Sequence, residues 1–266
     1  MTNDQRRSAY LEEIGIGPVW KRRSVQIEAV PEPKPRPEHI VEQPVAAPAP
    51  HDDLLFEPAM PEMETHGSSN YDPAVIARMD WATLKETVSG CTKCDLCRNR
   101  THTVFGVGDE KAKWLFVGEG PGRNEDLRGE PFVGQAGKLL DNMLLALGLK
   151  RGDNAYIANI VKCRPTDAAG KDRPPTAEES AACIPYLQRQ ISLIQPSIIV
   201  ALGKTAALSL LNLRPDTPVS KLRGTVHTYA DLPLVVTYHP AYLLRSLTDK
   251  KKAWDDLCLA MATYGR

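Results

Sequence analysis

The sequence predicts an α/β domain of three layers, in which helices cover both faces of a short parallel sheet, with a disordered extension at its N-terminus. Short apolar runs of strand length alternate along the chain with longer runs of helical periodicity, which is the order expected of repeated βα units. The apolar runs are continuous, as in SIIVALG at 197–203, and such runs are typical of strands buried on both faces. Together these two patterns favour a parallel sheet between two layers of helices.

The elements follow one another in chain order. Asp80 has the side chain of an N-cap for a helix that starts at Trp81 and carries Leu84 and Val88 on its apolar face. Strands are predicted at 113–118, 155–161, 197–203 and 233–238, and helices at 135–147, 176–195, 204–212 and 250–263. Because ligands bind at the carboxyl ends of parallel strands, the candidate loops are GEGPG, NIVKCRP, GKTA and YHPAYLLR, which follow the four strands.

The first 78 residues differ in composition from the rest. Nine of the chain's 22 prolines lie in residues 31–61, where they are incompatible with a long helix or a sheet ladder. Residues 1–78 carry 8 Lys and Arg against 13 Asp and Glu, which leaves 25 against 20, a net charge of +5, for the remainder. We expect a short partner-binding motif at 1–23, an acidic proline-rich linker at 24–78, and a globular domain at 79–266 whose weak positive charge suits a polyanionic partner.

The chain has no sequence signal for a membrane or for export. No apolar run reaches the ~18 residues of a membrane span, and MTNDQRRSAY lacks the apolar segment of a signal peptide. We therefore expect a cytoplasmic monomer. In that compartment the six cysteines are better candidates for metal ligands or buried thiols than for disulfides.

Four of the cysteines suggest one metal site. Cys91 and Cys94 form a C-x-x-C pair, and the single cysteines Cys163 and Cys183 could complete a set of four thiolates. The spacing does not separate zinc from iron–sulfur. Cys97 lies three residues beyond the pair and is treated as a spare, whereas Cys258 has the helical register of a buried core thiol.

The loop after the first strand, GEGPGRNEDLRGEPFVGQAG at 118–137, is rich in glycine but is not a standard phosphate loop. It lacks the Lys-Ser/Thr of a P-loop and the G-x-G-x-x-G spacing of a dinucleotide-binding loop. Glu119 stands between two glycines, where its carboxylate could reach a ligand or a water. Phe132 is either a core residue or a plate on which a flat ligand stacks.

Two later strands also end in polar side chains. Asn159 ends the second strand run, and its amide must be satisfied either by backbone or by a flat ligand that carries an amide. His239 follows the last strand, with Pro240 fixing the turn and residues 242–245 supplying an apolar run and an arginine. A lone histidine is more often structural, but this setting favours a functional one.

These motifs, in this order over residues 80–262, resemble the family 4 uracil-DNA glycosylases, the iron–sulfur class of bacteria and archaea. The segments that carry the resemblance are CTKC…VFGVG, the glycine loop, NIVKCRP, AAC…PYL and YHPAYLLR. The resemblance implies the uracil-DNA glycosylase α/β/α fold, uracil-containing DNA, single- or double-stranded, as the substrate, and a location at the nucleoid. It also implies a structural [4Fe-4S] cluster on four ligands, Cys91, Cys94, Cys163 and Cys183.

The resemblance further implies a pocket for a uracil that has been flipped out of DNA. The matching uracil-pocket positions are Glu119, Gly120, Asp126, Phe132, Asn159 and His239. We expect Phe132 to stack on the base and Asn159 to pair with its O4 and N3–H. The backbone at 119–120 is expected to exclude the methyl group of thymine, and Asp126 to order the loop.

The expected catalytic residues are His239, which would stabilise the departing uracil anion, and Glu119, which would position or activate water or stabilise the cationic sugar. On the DNA side, Leu243 or Leu244 would fill the gap left by the flipped base, and Arg245 would grip a phosphate. The share of each carboxylate in handling the water stays open from sequence.

Two other functions are weighed against the enzyme. A non-catalytic iron–sulfur DNA-binding protein would keep the cysteines but need not keep Phe132, Asn159 and His239 together, so their joint presence favours the enzyme. A nucleotide-phosphate hydrolase would need a P-loop lysine and a set of magnesium-binding carboxylates, neither of which is evident.

The segment RRSAYLEEIGIGPVWKRR at 6–23 resembles the N-terminal peptide of the psi subunit of the bacterial clamp loader, which binds the chi subunit. The shared order is Arg-Arg, then an apolar-Gly-Ile step, then a tryptophan and a basic pair. One interpretation is a linear motif that docks a replisome or clamp-loader protein, with Trp20 as the anchor. The other is an amphipathic end that packs on its own domain.

Overall fold

The structure is a computed structural model and describes residues 71–265. The predicted docking motif at 1–23 and most of the predicted linker at 24–78 lie outside the described residues.

The described residues form one mixed α/β unit. Its helices are α1 Pro73–Ile76, α2 Trp81–Ser89, α3 Arg123–Arg128, α4 Gln135–Ala146, α5 Ala177–Ile194, α6 Lys204–Leu211, α7 Pro240–Leu243 and α8 Lys250–Tyr264. Its strands are β1 Val107–Gly108, β2 Trp114–Gly118, β3 Ala155–Asn159, β4 Ile198–Leu202, β5 Val226–Tyr229 and β6 Leu232–Thr237. Short 3₁₀ turns lie at Asp95–Cys97, Val219–Lys221 and Leu247–Asp249.

The six strands form one sheet in the order β1-β3-β2-β4-β6-β5. The four central strands are parallel to one another, and the two edge strands, β1 and β5, pair antiparallel with β3 and β6. The predicted three-layer α/β/α architecture with a parallel central sheet is confirmed. The two edge strands were not predicted, because β1 has only two residues and β5 alternates exposed with partly buried side chains.

Side chains of the central strands alternate between two hydrophobic cores. In β2, Leu115 and Val117 pack with residues of α2, α5 and α6, whereas Trp114 and Phe116 pack with residues of α4 and α8. A strand whose side chains are buried in a core on both faces of the sheet has no polar face. This explains why the strands read as continuous apolar runs and why the four predicted strands match the observed ones within two residues at each end.

The helix ends show why the predicted boundaries hold. Asp80 caps α2 by accepting the N–H of Thr83 at 2.8 Å, as the sequence predicts. Thr176 and Glu179 form a reciprocal capping box at the start of α5. Within residues 71–265, no helix is both long enough and apolar enough to span a bilayer.

The folded domain begins earlier than the predicted boundary at residue 79. Asp72 caps α1 by accepting the N–H of Ala74 at 2.8 Å, and the side chain of Ile76 is fully buried. The hydroxyl of Tyr71 donates to the carbonyl of Gly90 at 3.1 Å. The last eight residues of the predicted linker at 24–78 therefore belong to the folded domain; a single turn of helix is too short for a periodicity signal.

Candidate functional site

The parallel register brings the predicted site residues to one edge of the sheet. Gly118, the last residue of β2, pairs with Asn159, the last residue of β3. Glu119 follows β2 directly, and His239 lies two residues after the end of β6. The loops that follow the parallel strands therefore meet at their carboxyl ends, as a parallel sheet requires.

The end of β2 is packed closely by two predicted pocket residues. A Cβ placed on Gly118 would lie 2.4 Å from Oδ1 of Asn159 and 2.7 Å from the ring of Phe132. Only glycine allows this approach. The amide of Asn159 and the ring of Phe132 are thereby brought to the same point of the sheet edge.

The amide of Asn159 is buried and incompletely bonded. The residue is only 2% exposed, and its Oδ1 has no hydrogen-bond partner among the described residues. A buried polar atom without a partner is costly, on the order of 1–3 kcal/mol. The sequence left two partners open for this amide, the backbone or a bound ligand. Because no backbone group of the described residues bonds to Oδ1, a ligand is the favoured partner.

Phe132 is held in an unusual backbone conformation from both sides. Its φ of 55° is in the left-handed region, which a bulky residue rarely adopts. Arg151 donates to the carbonyls of Pro131 and Phe132 at 2.8 and 2.9 Å. Glu125 accepts the next two backbone N–H groups at 2.9 and 3.1 Å. Sequence reasoning missed Arg151 and Glu125, since their role depends on contacts that no motif reveals.

His239 is a neutral donor in this setting. It is the N-cap of α7, and its Nδ1 accepts the N–H of Ala241 at 3.2 Å, which leaves the proton of the neutral ring on Nε2. Burial, aided by the positive charge of Arg245, lowers the pKa of His239 to about 4. Its ring centroid lies 5.5 Å from that of Phe132, with 30° between the planes. The imidazole therefore lies beside the ring of Phe132 and carries no charge at neutral pH.

Glu119 is half-buried and makes one side-chain contact. The hydroxyl of Thr205, in the first turn of α6, donates to its Oε2. Burial raises the pKa of Glu119, and the hydrogen bond from Thr205 opposes that shift. Oε1 has no hydrogen bond to any of residues 71–265, so one carboxylate oxygen is fixed and the other is available.

Two other predicted pocket positions are used for packing and loop order. A Cβ on Gly120 would lie 2.7 Å from a methyl carbon of Val161, so this loop must pass close to the loop that follows β3. Asp126 is 3% exposed and accepts the backbone N–H groups of Thr101 and His102 at 2.8 and 3.4 Å. The carboxylate of Asp126 is thus bonded to residues 101–102 and orders the loop, rather than being directed at the base.

The two leucines of the predicted DNA contact differ sharply in exposure. Leu243 is 1% exposed and belongs to the interior, whereas Leu244 is 43% exposed. Arg245 is also exposed. The assignment of Leu243 to the DNA surface is therefore wrong, because the turn of α7 points it inward, and Leu244 with Arg245 are left as the surface pair.

Five cysteines line a single cavity between α2, the 3₁₀ turn at Asp95–Cys97, the loop after β3 and α5. They are Cys91, Cys94, Cys97, Cys163 and Cys183. The four predicted ligands are thus brought together from distant parts of the chain, and Cys97 accompanies them. As they stand, no three His, Cys, Asp or Glu side chains within 71–265 are arranged to hold a metal ion.

Three of the sulfurs accept hydrogen bonds. Tyr186 donates its hydroxyl to Cys91 at 3.2 Å, and Arg100 donates to Cys163 at 3.2 Å. The backbone N–H of Lys162 donates to Cys183 at 3.3 Å. Donors directed at sulfur are typical of the surroundings of thiolate-ligated metal centres, where they stabilise the negative charge.

Burial works against free thiolates in this cavity. It raises the pKa of Cys163 to about 11 and that of Cys183 to about 12. Such thiols stay protonated at neutral pH unless a cation replaces the proton. Cys258, by contrast, is exposed, so its predicted core position is wrong: the buried face of α8 runs through Ala253, Leu257 and Ala260.

Lys162 joins the cysteine cavity to the end of β3. It is 1% exposed, lines the cavity, and donates from Nζ to the carbonyl of Asn159 at 3.0 Å and to Gln190 at 2.7 Å. Burial lowers the pKa of Lys162 to about 8. No motif in the sequence pointed to this buried lysine, which ties the backbone of Asn159 to the layer that carries the cysteines.

Comparison with known proteins gives a consistent family. The model of the uracil DNA glycosylase superfamily matches residues 105–258. The chain is 47% identical over 163 residues to a type-4 uracil-DNA glycosylase of Archaeoglobus fulgidus, covering 59% of this chain and 79% of the relative.

Two further relatives carry the same description. The chain is 44% identical to a type-4 uracil-DNA glycosylase of Thermotoga maritima, over 63% of this chain and 84% of the relative. It is 39% identical to one of Pyrobaculum aerophilum, over 68% of this chain and 93% of the relative. The match covers nearly the whole of that relative, and the chain extends beyond it.

Proposed function

This chain belongs to the uracil DNA glycosylase superfamily, and we propose that it excises uracil from DNA by hydrolysing the N-glycosidic bond, leaving free uracil and an abasic site. The observation that carries the proposal is the buried Oδ1 of Asn159, which has no hydrogen-bond partner in the described part of the chain and lies beside the ring of Phe132. A pocket with a flat wall and a vacant acceptor suits one edge of a flipped pyrimidine.

The amide of Asn159 distinguishes uracil from cytosine. The N3–H of uracil donates to Oδ1, and the side-chain NH₂ donates to O4. Cytosine presents an acceptor at N3 and a donor at C4, so both contacts become repulsive. A site built for a hydrogen bond rejects a base that lacks its partner by several orders of magnitude.

Thymine is rejected by shape. Phe132 stacks on the base, and the backbone at 119–120 lies against the C5 edge, where a methyl group would collide. Gly120 supports this role, since it is packed so closely against Val161 that the loop has little freedom to withdraw.

His239 assists departure of the base. As the bond between C1′ and N1 breaks, its electron pair moves to uracil, and negative charge builds up on O2. The Nε2–H of the neutral imidazole donates to that oxygen. The low pKa of His239 suits a hydrogen-bond donor that keeps its proton rather than an acid that transfers it.

Glu119 assists attack by water on the cationic sugar. Its Oε2 is held by Thr205, and Oε1 accepts a proton from the water that bonds to C1′. Burial raises the pKa of Glu119 towards the range in which a carboxylate is an effective base. Since Glu125 and Asp126 are occupied with backbone N–H groups, we assign the water to Glu119.

The residues of the cysteine cavity fit a [4Fe-4S] cluster held by Cys91, Cys94, Cys163 and Cys183. The fit rests on the donor set and on the hydrogen bonds that three of the sulfurs accept. Such a cluster would cross-link the loop after β3 to α5 and to the segment that follows α2. It would supply structure rather than reaction chemistry.

The remaining partner proposals concern surfaces. Leu244 would occupy the gap in the base stack, with Arg245 on a phosphate, which supports DNA as the partner. A non-catalytic DNA-binding role is not favoured, since it leaves the vacancy at Asn159 without an explanation. Docking of a replisome protein by residues 6–23, a monomeric state and a cytoplasmic location at the nucleoid stay as proposals from sequence.

The test uses the full chain, purified without oxygen. Oligonucleotides that contain uracil, hypoxanthine or a thymine mismatch, single- and double-stranded, are incubated with protein and then cleaved with alkali at abasic sites. We expect cleavage at uracil, and loss of it in His239→Gln. An unreacted uracil strand would refute the function, and a colourless, iron-free protein would refute the cluster alone.

A further inference from the structure

The GKTA turn at 203–206 is the one candidate loop from which the proposed reaction takes no group that contacts the base, the sugar or the water. In the sheet, β4 lies between β2 and β6. Its carboxyl end is therefore flanked by Glu119, which follows β2, and by His239, which follows β6. The turn after β4 is placed by topology between the two catalytic side chains.

The first residue of the turn fits closely against His239. Gly203 has a φ of 91°, and a Cβ on it would lie 2.8 Å from the Cβ of His239. Its N–H donates to the carbonyl of Thr237 at 2.8 Å, which joins the turn to the end of β6. A side chain at 203 would push His239 away.

The third residue of the turn reaches in the opposite direction. Thr205 is partly buried, and its hydroxyl donates to Oε2 of Glu119. Within this one turn, Gly203 is thus packed on His239 and Thr205 is bonded to Glu119. The turn leads into α6, whose inner face is buried at Ala206, Ala207 and Leu210, and this packing anchors the turn to the core.

We propose that Thr205 is a positioning residue for water attack, which fixes the carboxylate of Glu119 so that its Oε1 faces the reacting carbon. This rests on the proposed function. A carboxylate held by one oxygen loses its freedom to rotate, and the other oxygen then has a defined direction. Because the same turn is packed on His239, the base-side and water-side groups are kept at a fixed separation.

The experiment compares Thr205→Val, which removes the hydroxyl at nearly constant volume, with Thr205→Ser, which keeps it. Single-turnover kinetics on a uracil oligonucleotide give the rate of bond cleavage, and a binding titration gives affinity. We expect the valine variant to be slower by about 10- to 100-fold with unchanged affinity, and the serine variant to stay within about threefold of wild type.

A pH profile separates this role from a purely structural one. The donated hydrogen bond favours the ionised carboxylate, so its loss raises the pKa of Glu119 further and moves the acid limb of the profile to higher pH. The other titratable and charged groups at the site, His239, Glu125 and Arg245, are the same in both variants. The serine variant should keep the wild-type limb.

A double variant tests whether Thr205 acts through Glu119. In a Glu119→Gln background, Thr205→Val should have almost no further effect on rate, because its partner is gone. Additive effects, or a valine variant as fast as wild type with an unmoved acid limb, would overturn the proposal while wild-type activity stands. An inactive wild type would instead overturn the proposed function. Thermal melting of each variant identifies any that is unfolded, and the serine variant then carries the comparison.

Discussion

The base pocket and the cysteine cavity meet at the end of β3 and the loop that follows it, and they are built in opposite ways. In the pocket, Oδ1 of Asn159 is buried and accepts no hydrogen bond from residues 71–265. In the cavity, three of the sulfurs already accept a hydrogen bond from the protein, one of them from Lys162, three residues along the chain from Asn159. The polar atom of the pocket is therefore free to bind a ligand, whereas three sulfurs of the cavity are already hydrogen-bonded to the protein.

This difference predicts that changes in the pocket affect mainly activity and that changes in the cavity affect mainly stability. A site with unpartnered groups contributes recognition and costs stability, so changes there should alter activity and leave stability alone or improve it. A site whose groups are mostly bonded within the protein contributes cohesion, so changes there should reduce stability first. The following variants test that division, from the largest expected effect to the smallest.

The largest effect is expected at Asn159. Asn159→Ala removes both groups that bond to the base and should lower kcat/KM on uracil DNA by about 10³-fold or more. The N3–H and O4 of uracil then have no partner in the site. The melting temperature should not fall, since a buried unpartnered oxygen is removed with the side chain. The matched control is Thr237→Val, at the other described residue with a buried unpartnered side-chain oxygen, which should keep wild-type rates. Equal losses in the two variants would break the comparison.

The next effect concerns the cavity. If Cys163 is a ligand of the proposed cluster, Cys163→Ser should abolish the visible absorbance and iron content and lower the melting temperature by more than 10 °C, because a ligand that cross-links distant segments is lost. Residual activity at low temperature should exceed that of Asn159→Ala. Cys258→Ser, on the surface of α8, is the control and should change neither colour nor stability. A colourless Cys163→Ser protein that melts like wild type would deny the cavity its structural role.

A pH effect on stability is expected from His239. Its folded pKa of about 4 is below the ordinary value of 6.5, so the unfolded chain binds the extra proton more readily. The free energy of unfolding should therefore decrease as pH falls from about 6.5 to 4. His239→Gln should remove that part of the decrease, seen by urea unfolding at several pH values. Parallel curves for the two proteins would mean that the imidazole is not held neutral.

The smallest effect on chemistry is expected at the DNA surface, and it separates two adjacent leucines. Leu244→Ala should slow cleavage of double-stranded uracil DNA by about tenfold with little change on single strands, because only a duplex has a gap to fill. Leu243→Ala should leave strand preference alone and lower the free energy of unfolding by about 2–5 kcal/mol, as for a buried leucine. The reverse assignment of the two effects would restore Leu243 to the surface.

Much of the fold was predictable because each central strand is buried on both faces. The strand Ile198–Leu202 then contains no polar residue, and the helices between the strands have clear apolar faces. The edge strand β5 escaped prediction, since an exposed edge carries mixed side chains. Cys258 was placed in the core because it stands between two leucines, but a turn of helix separates the inner residues by three or four positions.

The candidate site was predictable where a polar residue stands at or just beyond the end of a parallel strand. Glu119 follows β2, Asn159 ends β3 and His239 lies two residues after β6, so topology alone brings them to one edge. The residues that hold them were not predictable. Thr205, Arg151 and Lys162 act through contacts with residues 19 to 86 positions away or across a loop, which only the folded chain defines.

At the centre of the proposed function, Oδ1 of Asn159 accepts a hydrogen bond from the N3–H of uracil. Inhibition of the enzyme by free uracil, 1-methyluracil and 3-methyluracil tests it most directly, because only the last compound lacks that hydrogen. We predict that uracil and 1-methyluracil inhibit while 3-methyluracil does not, and that Asn159→Ala loses the distinction. Equal inhibition of wild type by all three compounds would contradict the account.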